Sequence, residues 1–346
     1  MQVQADRLRP VALWLFAMCA LIALMVIVGG ATRLTDAGLS IVEWRPVTGA
    51  IPPLSQADWL SEFEKYKTIP EYAEVNWGMS LGDFKEIYWW EWGHRFLGRL
   101  IGFAFLIPLI YFAATRRIDR SLGVRLAGLF VLGGAQGALG WWMVSSGLTE
   151  RVDVSQYRLA AHLALAVALF AAMFWIALDL VSVKRERKHR LAPYALALAG
   201  GVYLQMILGA FVAGLRAGRT FNTWPLMDGK FFPDGYFNGA AGLGDIFETA
   251  AAVQFNHRLG AYILAIAAVW FFIAARKSDL KGRAHLLLAA IVLQICLGVW
   301  TVLAATPISL GLAHQAGALI VFGAALFSAH GCANSMSMTR SVSVTG

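Results

Sequence analysis

Four of the seven histidines stand at matching places in two similar halves of the chain. His94 and His162 lie in the first half, and His257 and His314 lie in the second. We predict each of them about one turn inside the outer end of a helix, so that the two imidazoles of a half face each other at similar depth. Two neutral imidazoles at one level are the ligands that a six-coordinate haem iron needs.

The main alternative is that backbone carbonyls or the other imidazoles bind these rings, without a ligand. Ionisable groups at matching intramembrane positions favour a functional role instead. Zinc or copper is a lesser alternative, because no carboxylate or thiolate joins either pair at ligand spacing. The other three histidines, His189, His285 and His330, are predicted to be surface residues. Small residues that make room for a flat macrocycle are Gly93, Gly98, Gly102, Gly133, Gly134, Gly137 and Gly140 in the first half and Gly260, Gly298, Gly311 and Gly317 in the second.

Charged residues next to the histidines differ between the halves. Glu91 precedes His94 by three residues and shares its helix face, whereas the matching Gln254 cannot ionise. A carboxylate beside a haem edge accepts a proton or stabilises a developing cation, so we predict that the first half does chemistry and the second carries electrons. The alternative is that Glu91 complements the positive end of its helix. Arg95 and Arg258 are predicted either to bind haem propionates or to extend toward the membrane interface.

The elements that position these residues are membrane-spanning helices. The chain has 346 residues, of which 58% are hydrophobic and only 14% charged, far from the composition of a soluble domain. Because the most basic segments alternate with mixed-charge loops, the positive-inside rule places both termini in the cytoplasm. The net charge of +8 therefore indicates membrane topology and not nucleic-acid binding. The predicted spans are 11–31, 92–114, 123–146, 157–181, 192–213, 254–275, 284–304 and 310–330.

An internal repeat joins these spans into two halves. Residues 28–49 (VGGATRLTDAGLSIVEWRPVTG) align with residues 208–229 (LGAFVAGLRAGRTFNTWPLMDG) at one constant offset, and three histidine- or glycine-bearing helix segments match in the same order. The predicted fold is therefore an all-α polytopic membrane protein with two pseudo-symmetric four-helix bundles, a parallel repeat. The predicted boundaries are 1–183, 184–334 and a disordered tail at 335–346. Residues 56–66 in the first outer segment are predicted to form an amphipathic surface helix.

Several long motifs make the sequence resemble the haem A synthase family over nearly its whole length, and its alphaproteobacterial and mitochondrial branch in particular. They are GGATRLTDAGLSIVEWRPVTGAIPP (29–53), WWEWGHRFLGR (89–99), QGALGWWMVSSGL (136–148), TFNTWPLMDG (220–229) and FNHRLGAY (255–262). Other members carry a cysteine pair in an outer loop, which this sequence lacks: its three cysteines are Cys19, Cys296 and Cys332.

The resemblance implies oxidation of the C8 methyl of haem O to a formyl group by successive hydroxylations, giving haem A for cytochrome oxidase. It implies a haem b cofactor on His257 and His314, substrate haem O near His94 and His162, and Glu91 as the catalytic residue. It also implies a bacterial inner-membrane protein with its haem sites near the outer face. Haem O synthase, a protohaem farnesyltransferase, and cytochrome oxidase assembly factors are the implied partners. From the residues alone, a dihaem cytochrome b-type electron carrier and a haem transporter or chaperone remain alternatives.

Overall fold

The computed structural model describes residues 2–182 and 189–333, and within these ranges the chain forms helices and connecting loops without a strand. Eight of the helices, all but α2, α3 and α8, are long and apolar enough to cross a membrane, which confirms the predicted fold class. The predicted tail and the boundary between the halves lie outside the described residues. The helices are α1 (Gln2–Leu34), α2 (Gln56–Tyr66), α3 (Pro70–Glu74), α4 (Leu81–Ala114), α5 (Arg120–Ser145), α6 (Gln156–Val181), α7 (Ala192–Gly214), α8 (Asp245–Glu248), α9 (Ala250–Ala275), α10 (Lys281–Leu303) and α11 (Ile308–Ala333).

The long helices of each half pack as a ring. In the first half, α1 packs against α4 and α6, and α5 closes the ring between them; in the second, α7, α9, α10 and α11 pack in the same way. The halves meet where α1 and α6 pack against α11 and α7. The largest apolar core lies along this junction, where the Phe170 and Phe322 ring centroids are 6.2 Å apart. The helices away from this junction, α4 and α5 in the first half and α9 and α10 in the second, face the lipid.

Helix α4 extends farther outward than the predicted span. It begins at Leu81, not near residue 92, because Ser80 forms a capping box with Asp83. His94 consequently lies between three and four turns inside its helix, and the other three paired histidines lie about two turns inside theirs. The prediction of one turn was wrong for all four.

The outer end of α4 is covered by α2, which the structure places where the sequence predicted it. Trp59, Phe63 and Tyr66 of α2 are buried against Phe84 and Tyr88 of α4. The Phe63 and Phe84 rings stack with centroids 4.9 Å apart. This aromatic cluster packs against the first turns of α4, residues 81–91, which precede the predicted membrane span.

The prediction that His330 is a surface residue was wrong. His330 on α11 is only 1% exposed, its Nε2 lies 2.8 Å from Asp179 Oδ1 on α6, and its ring packs edge-on against Trp175. It connects the two halves at the end of the helices opposite the paired histidines. His285 is exposed, as predicted.

Candidate functional site

In the second half, α9 and α11 bring two imidazoles together. The ring centroids of His257 and His314 are 6.3 Å apart, and the ring planes are inclined by 77°. An imidazole nitrogen binds a metal at about 2 Å, and the ring centre lies roughly 1 Å farther back, so two rings on opposite sides of one iron have centres roughly 6 Å apart. The observed pair fits a bis-histidine haem iron. Among the described residues, no group of three or more His, Cys, Asp or Glu side chains is placed to hold a metal ion.

A glycine from a neighbouring helix lies against each of the four paired histidines. A side chain there would collide with the imidazole, so glycine permits the close approach of ring and helix. Gly140 and Gly298 were among the glycines predicted near a macrocycle, whereas Gly29 and Gly209 were noticed only as repeat matches. A methyl group would lie 3.0 Å from His94 Nε2 at Gly29, 2.8 Å from His162 Cε1 at Gly140, 3.2 Å from His257 Cε1 at Gly209 and 2.8 Å from His314 Cε1 at Gly298.

Three of the four histidines are also held by a glutamine, which the sequence analysis did not single out. In each case the amide nitrogen Nε2 donates to the histidine's own carbonyl oxygen and lies within hydrogen-bond distance of Nδ1. The only sequence signal is that two of these glutamines begin the matching motifs QGALGWW and QICLGVW. The distances to O and Nδ1 are 2.9 and 3.2 Å for Gln136 and His162, 2.7 and 3.1 Å for Gln205 and His257, and 2.8 and 3.1 Å for Gln294 and His314.

Glu91 is buried, with 2% of its surface exposed. Its Oε2 accepts hydrogen bonds from the Ser40 hydroxyl and the Ile41 amide, both at 2.8 Å. Its Oε1 accepts from Arg95 Nη2 at 2.6 Å and Nε at 3.1 Å. Because α4 begins at Leu81, this carboxylate is too far from the helix end to interact with its dipole, which falls off within the first turn. It instead joins α4 to the first outer segment.

Arg95 and Arg258 bind matching carbonyls of the two outer segments. Each guanidinium donates to two main-chain oxygens, which fastens the segment onto the helix that carries a paired histidine. Arg258 Nε is buried and has no hydrogen-bond partner within the described residues. Arg95 Nη2 donates to Ile41 O at 2.8 Å and its Nη1 to Glu43 O at 2.9 Å. Arg258 Nη2 donates to Phe221 O and its Nη1 to Thr223 O, both at 2.8 Å.

The halves are joined on the same side by charged residues. Arg216 contacts Asp36 and Asp153, each at 2.8 Å, and Arg33 contacts Asp153 at 2.8 Å. Partial burial raises the pKa of Asp153, but Arg216 and Arg33 outweigh that effect and hold this pKa below its usual value. Asp36 and Arg216 occupy matching repeat positions, and both have left-handed backbone conformations, with φ of 54° and 52°.

The fold and the site together define a class: an eight-span helical membrane protein with two histidine-bearing helices in each half. An arginine next to one histidine of each half binds the outer segment of that half. Residues 12–326 match the family model described as cytochrome oxidase assembly protein, and the chain belongs to that family.

Proteins that are similar in sequence to this chain are named heme A synthase. The one from Parvibaculum lavamentivorans is 56% identical over 92% of this chain and 93% of its own length. Those from Caulobacter vibrioides and Nitrosospira multiformis are 51% and 50% identical, over 93% of this chain and 96% and 93% of their own lengths. The family that the sequence motifs resembled is thereby confirmed.

Proposed function

We propose that this chain is a haem A synthase, which oxidises the C8 methyl of haem O to a formyl group to give haem A for cytochrome oxidase. The observation that carries the proposal is the pair of matching histidine sites, only one of which has a carboxylate on its histidine helix. An enzyme with one substrate haem and one cofactor haem needs that asymmetry. The relatives named heme A synthase, with about half of their residues identical over nearly the whole chain, support the same function.

In this proposal His257 and His314 hold a haem b cofactor. Their ring separation fits one iron between them, and Gly209 and Gly298 keep both rings against neighbouring helices. The buried, unpartnered Arg258 Nε is a donor that a propionate oxygen satisfies. When bound, haem b supplies one-electron redox chemistry. In the first half Arg95 Nε already donates to Glu91 Oε1, so a propionate contact of Arg95 is assigned to its Nη1, which has a second hydrogen to donate.

His94 and His162 hold the substrate, haem O. Two successive hydroxylations place two hydroxyl groups on the methyl carbon attached to C8, and loss of one water leaves the formyl group. Each hydroxylation removes two electrons, which the haem b of the second half would relay one at a time. Glu91, one turn before His94, stabilises the positive charge that develops as the methyl group is oxidised, or accepts its proton. Arg95 is a positioning residue, because it fixes the carboxylate through two hydrogen bonds.

The proposed setting is a bacterial inner membrane with both termini in the cytoplasm. Arg116 and Arg117 lie between α4 and α5, Arg120 begins α5, and Arg276 and Lys277 lie between α9 and α10. These basic ends are opposite the ends near the paired histidines, and by the positive-inside rule this supports haem sites toward the outer face. Haem O synthase and cytochrome oxidase assembly factors are the proposed partners, and the farnesyl tail of haem O extends between the helices or into the lipid bilayer.

Pigment extraction tests the proposal. Membranes that contain haem O and no haem A should gain haem A when this chain is expressed. His257→Ala should remove the low-spin haem b spectrum of the purified protein, while His285→Ala, at an exposed histidine outside both pairs, should keep it. Haem retained without any formyl product would contradict the proposal and indicate an electron carrier or a haem transporter. A normal low-spin spectrum in His257→Ala would remove the cofactor assignment.

A further inference from the structure

The repeat places Met25 where the second half has Gln205. The segments LMVIVGG (24–30) and LQMILGA (204–210) align at the same offset as residues 28–49 and 208–229. Gln205 reaches from α7 to the backbone and Nδ1 of His257 on α9. Met25 reaches from α1 to α4, where its Cε would lie 3.2 Å from a methyl group at Gly98, one turn beyond His94. The two side chains therefore lie against corresponding histidine helices.

The glutamines can partner an iron-binding imidazole in a way that methionine cannot. An imidazole that binds metal through Nε2 carries its proton on Nδ1 and needs an acceptor there. A glutamine amide offers both a donor and an acceptor, so it can pair with either tautomer. The acceptor oxygens Oε1 of Gln136, Gln205 and Gln294 are all buried and unpartnered within the described residues. In the structure the donor Nε2 faces Nδ1, so Oε1 would accept from a protonated Nδ1 only after the amide turns over. Three of the four rings thus have a glutamine amide next to Nδ1.

His94 has no such partner. Its ring forms no hydrogen bond within the part of the chain that the structure describes, and the neighbouring Met25 offers only a weakly accepting thioether. The ring lies against Gly29, where a methyl group would be 3.0 Å from its Nε2. Loss of the outer partner of a metal-binding histidine costs roughly 10- to 100-fold in metal affinity.

We propose that His94 is the exchangeable iron ligand: it binds the iron when substrate haem enters and releases the iron when product haem leaves. The presence of Met25 in the first half, where the second half has Gln205, causes this difference between the halves. The proposal rests on the proposed function, in which one haem leaves after each turnover and the other stays. His162 keeps its glutamine, Gln136, so the first half has one firmly held and one loosely held ligand. The second half has two firmly held ligands, as a permanent cofactor needs.

Haem release from the purified protein in detergent tests this. The protein is loaded with haem b in the second half and haem O in the first, and excess apomyoglobin then removes haem while absorbance is followed. Wild type should release haem O in a fast phase and haem b in a slow one. Met25→Gln should slow the fast phase by roughly 10- to 100-fold and leave the slow phase unchanged. Met25→Leu, which keeps size and apolarity, should behave as wild type.

Gln205→Met is the reciprocal variant, and it tests the proposal even if Met25→Gln does not fold. It should accelerate release of haem b by a similar factor and leave the haem O phase unchanged. Unchanged release in both variants would overturn the proposal. The same preparations are assayed for conversion of haem O. If wild type makes haem A and release is unchanged in both variants, this proposal fails and the proposed function stands. If wild type makes no haem A, both fail.

Discussion

At the residue scale, Glu91 and Gln254 show how one position serves two purposes. Both are buried side chains that reach the outer segment of their half: Glu91 accepts from the Ile41 amide, and Gln254 donates to the Phe221 carbonyl at 3.0 Å. Fastening that segment therefore does not require a charge at this position. The charge on Glu91 is an additional feature of the first half, which fits a role in chemistry.

Glu91→Gln should abolish most conversion of haem O while the fold is retained, because an amide oxygen still accepts from Ile41 and Ser40 but carries no charge. Haem A in extracted membranes measures conversion, and the yield of folded protein measures stability. Ser40→Ala is the control: it removes one hydrogen bond to the same carboxylate, which costs about 1 kcal/mol of stability, and conversion should persist. Normal haem A production by Glu91→Gln would show that the charge is not needed.

At the element scale, the segment between α1 and α4 is a small folded layer at the histidine-bearing end of the helices. Its centre is Tyr66, fully buried, whose hydroxyl donates to Glu71 Oε2 at 3.3 Å and accepts from Asn76 Nδ2 at 2.7 Å. Burial raises the pKa of Glu71 from 4.5 to about 8, more than the hydrogen bond from Tyr66 lowers it. A protonated carboxyl is therefore part of this layer at neutral pH.

The layer should lose stability as the pH rises. Because the folded pKa of Glu71 lies above its unfolded value, its contribution is fully present below pH 4.5 and is lost as the pH rises through about 8. The slope within that window is at most about 1.4 kcal/mol per pH unit. Limited proteolysis of residues 35–80 between pH 5.5 and 8.5 measures it. Glu71→Gln should remove the dependence, and Glu74→Gln should not. A wild-type layer equally resistant at both pH values would contradict the assignment.

At the scale of the whole molecule, the two four-helix halves are joined by different polar contacts at the two ends of the apolar core between them. On the side of the paired histidines, Arg216 reaches both Asp36 and Asp153. On the opposite side, His330 reaches Asp179. Gln315, next to His314, also donates to Val26 O on α1 at 2.8 Å. The relative position of the two sites is therefore fixed by polar contacts as well as by apolar packing.

Removing the cross-half ion pairs should lower thermal stability in proportion to the partners lost. Asp36→Asn removes one partner of Arg216 and should cost about 0.5 kcal/mol, and Arg216→Gln removes two contacts and should cost about 1 kcal/mol. Thermal unfolding in detergent measures both. Lys230→Gln loses only an exposed pair with Asp234 inside the second half and should unfold as wild type does. Equal unfolding temperatures for all three variants and wild type would show that these pairs do not contribute to stability.

The sequence was sufficient for features whose signal is local. Apolar runs revealed eight spans, and the amphipathic spacing of residues 56–66 revealed α2. The start of α4 was missed because its first turns, with Asp83, Lys85 and Glu86, are polar and are stabilised by the aromatic cluster of α2 instead of lipid.

Features that depend on distant residues could not be predicted. His330 pairs with Asp179 across 151 residues of chain, and Gln205 reaches His257 from another helix. No periodicity within a single segment reports such contacts. The His257–His314 pair was an exception, because the repeat supplied the missing comparison: each half showed which positions of the other were matched. The same comparison, applied to Met25 and Gln205, became informative only after the structure showed what Gln205 contacts.

The Asp36–Arg216 contact also bears on how the chain arose. Two matching positions touch one another only on the axis that relates the halves. In a dimer of identical subunits, that place would hold two aspartates or two arginines, and like charges would repel. Opposite charges at this place require that the two positions mutate independently. The contact therefore requires two copies with separate sequences, and it distinguishes one half from the other in a way that identical subunits could not.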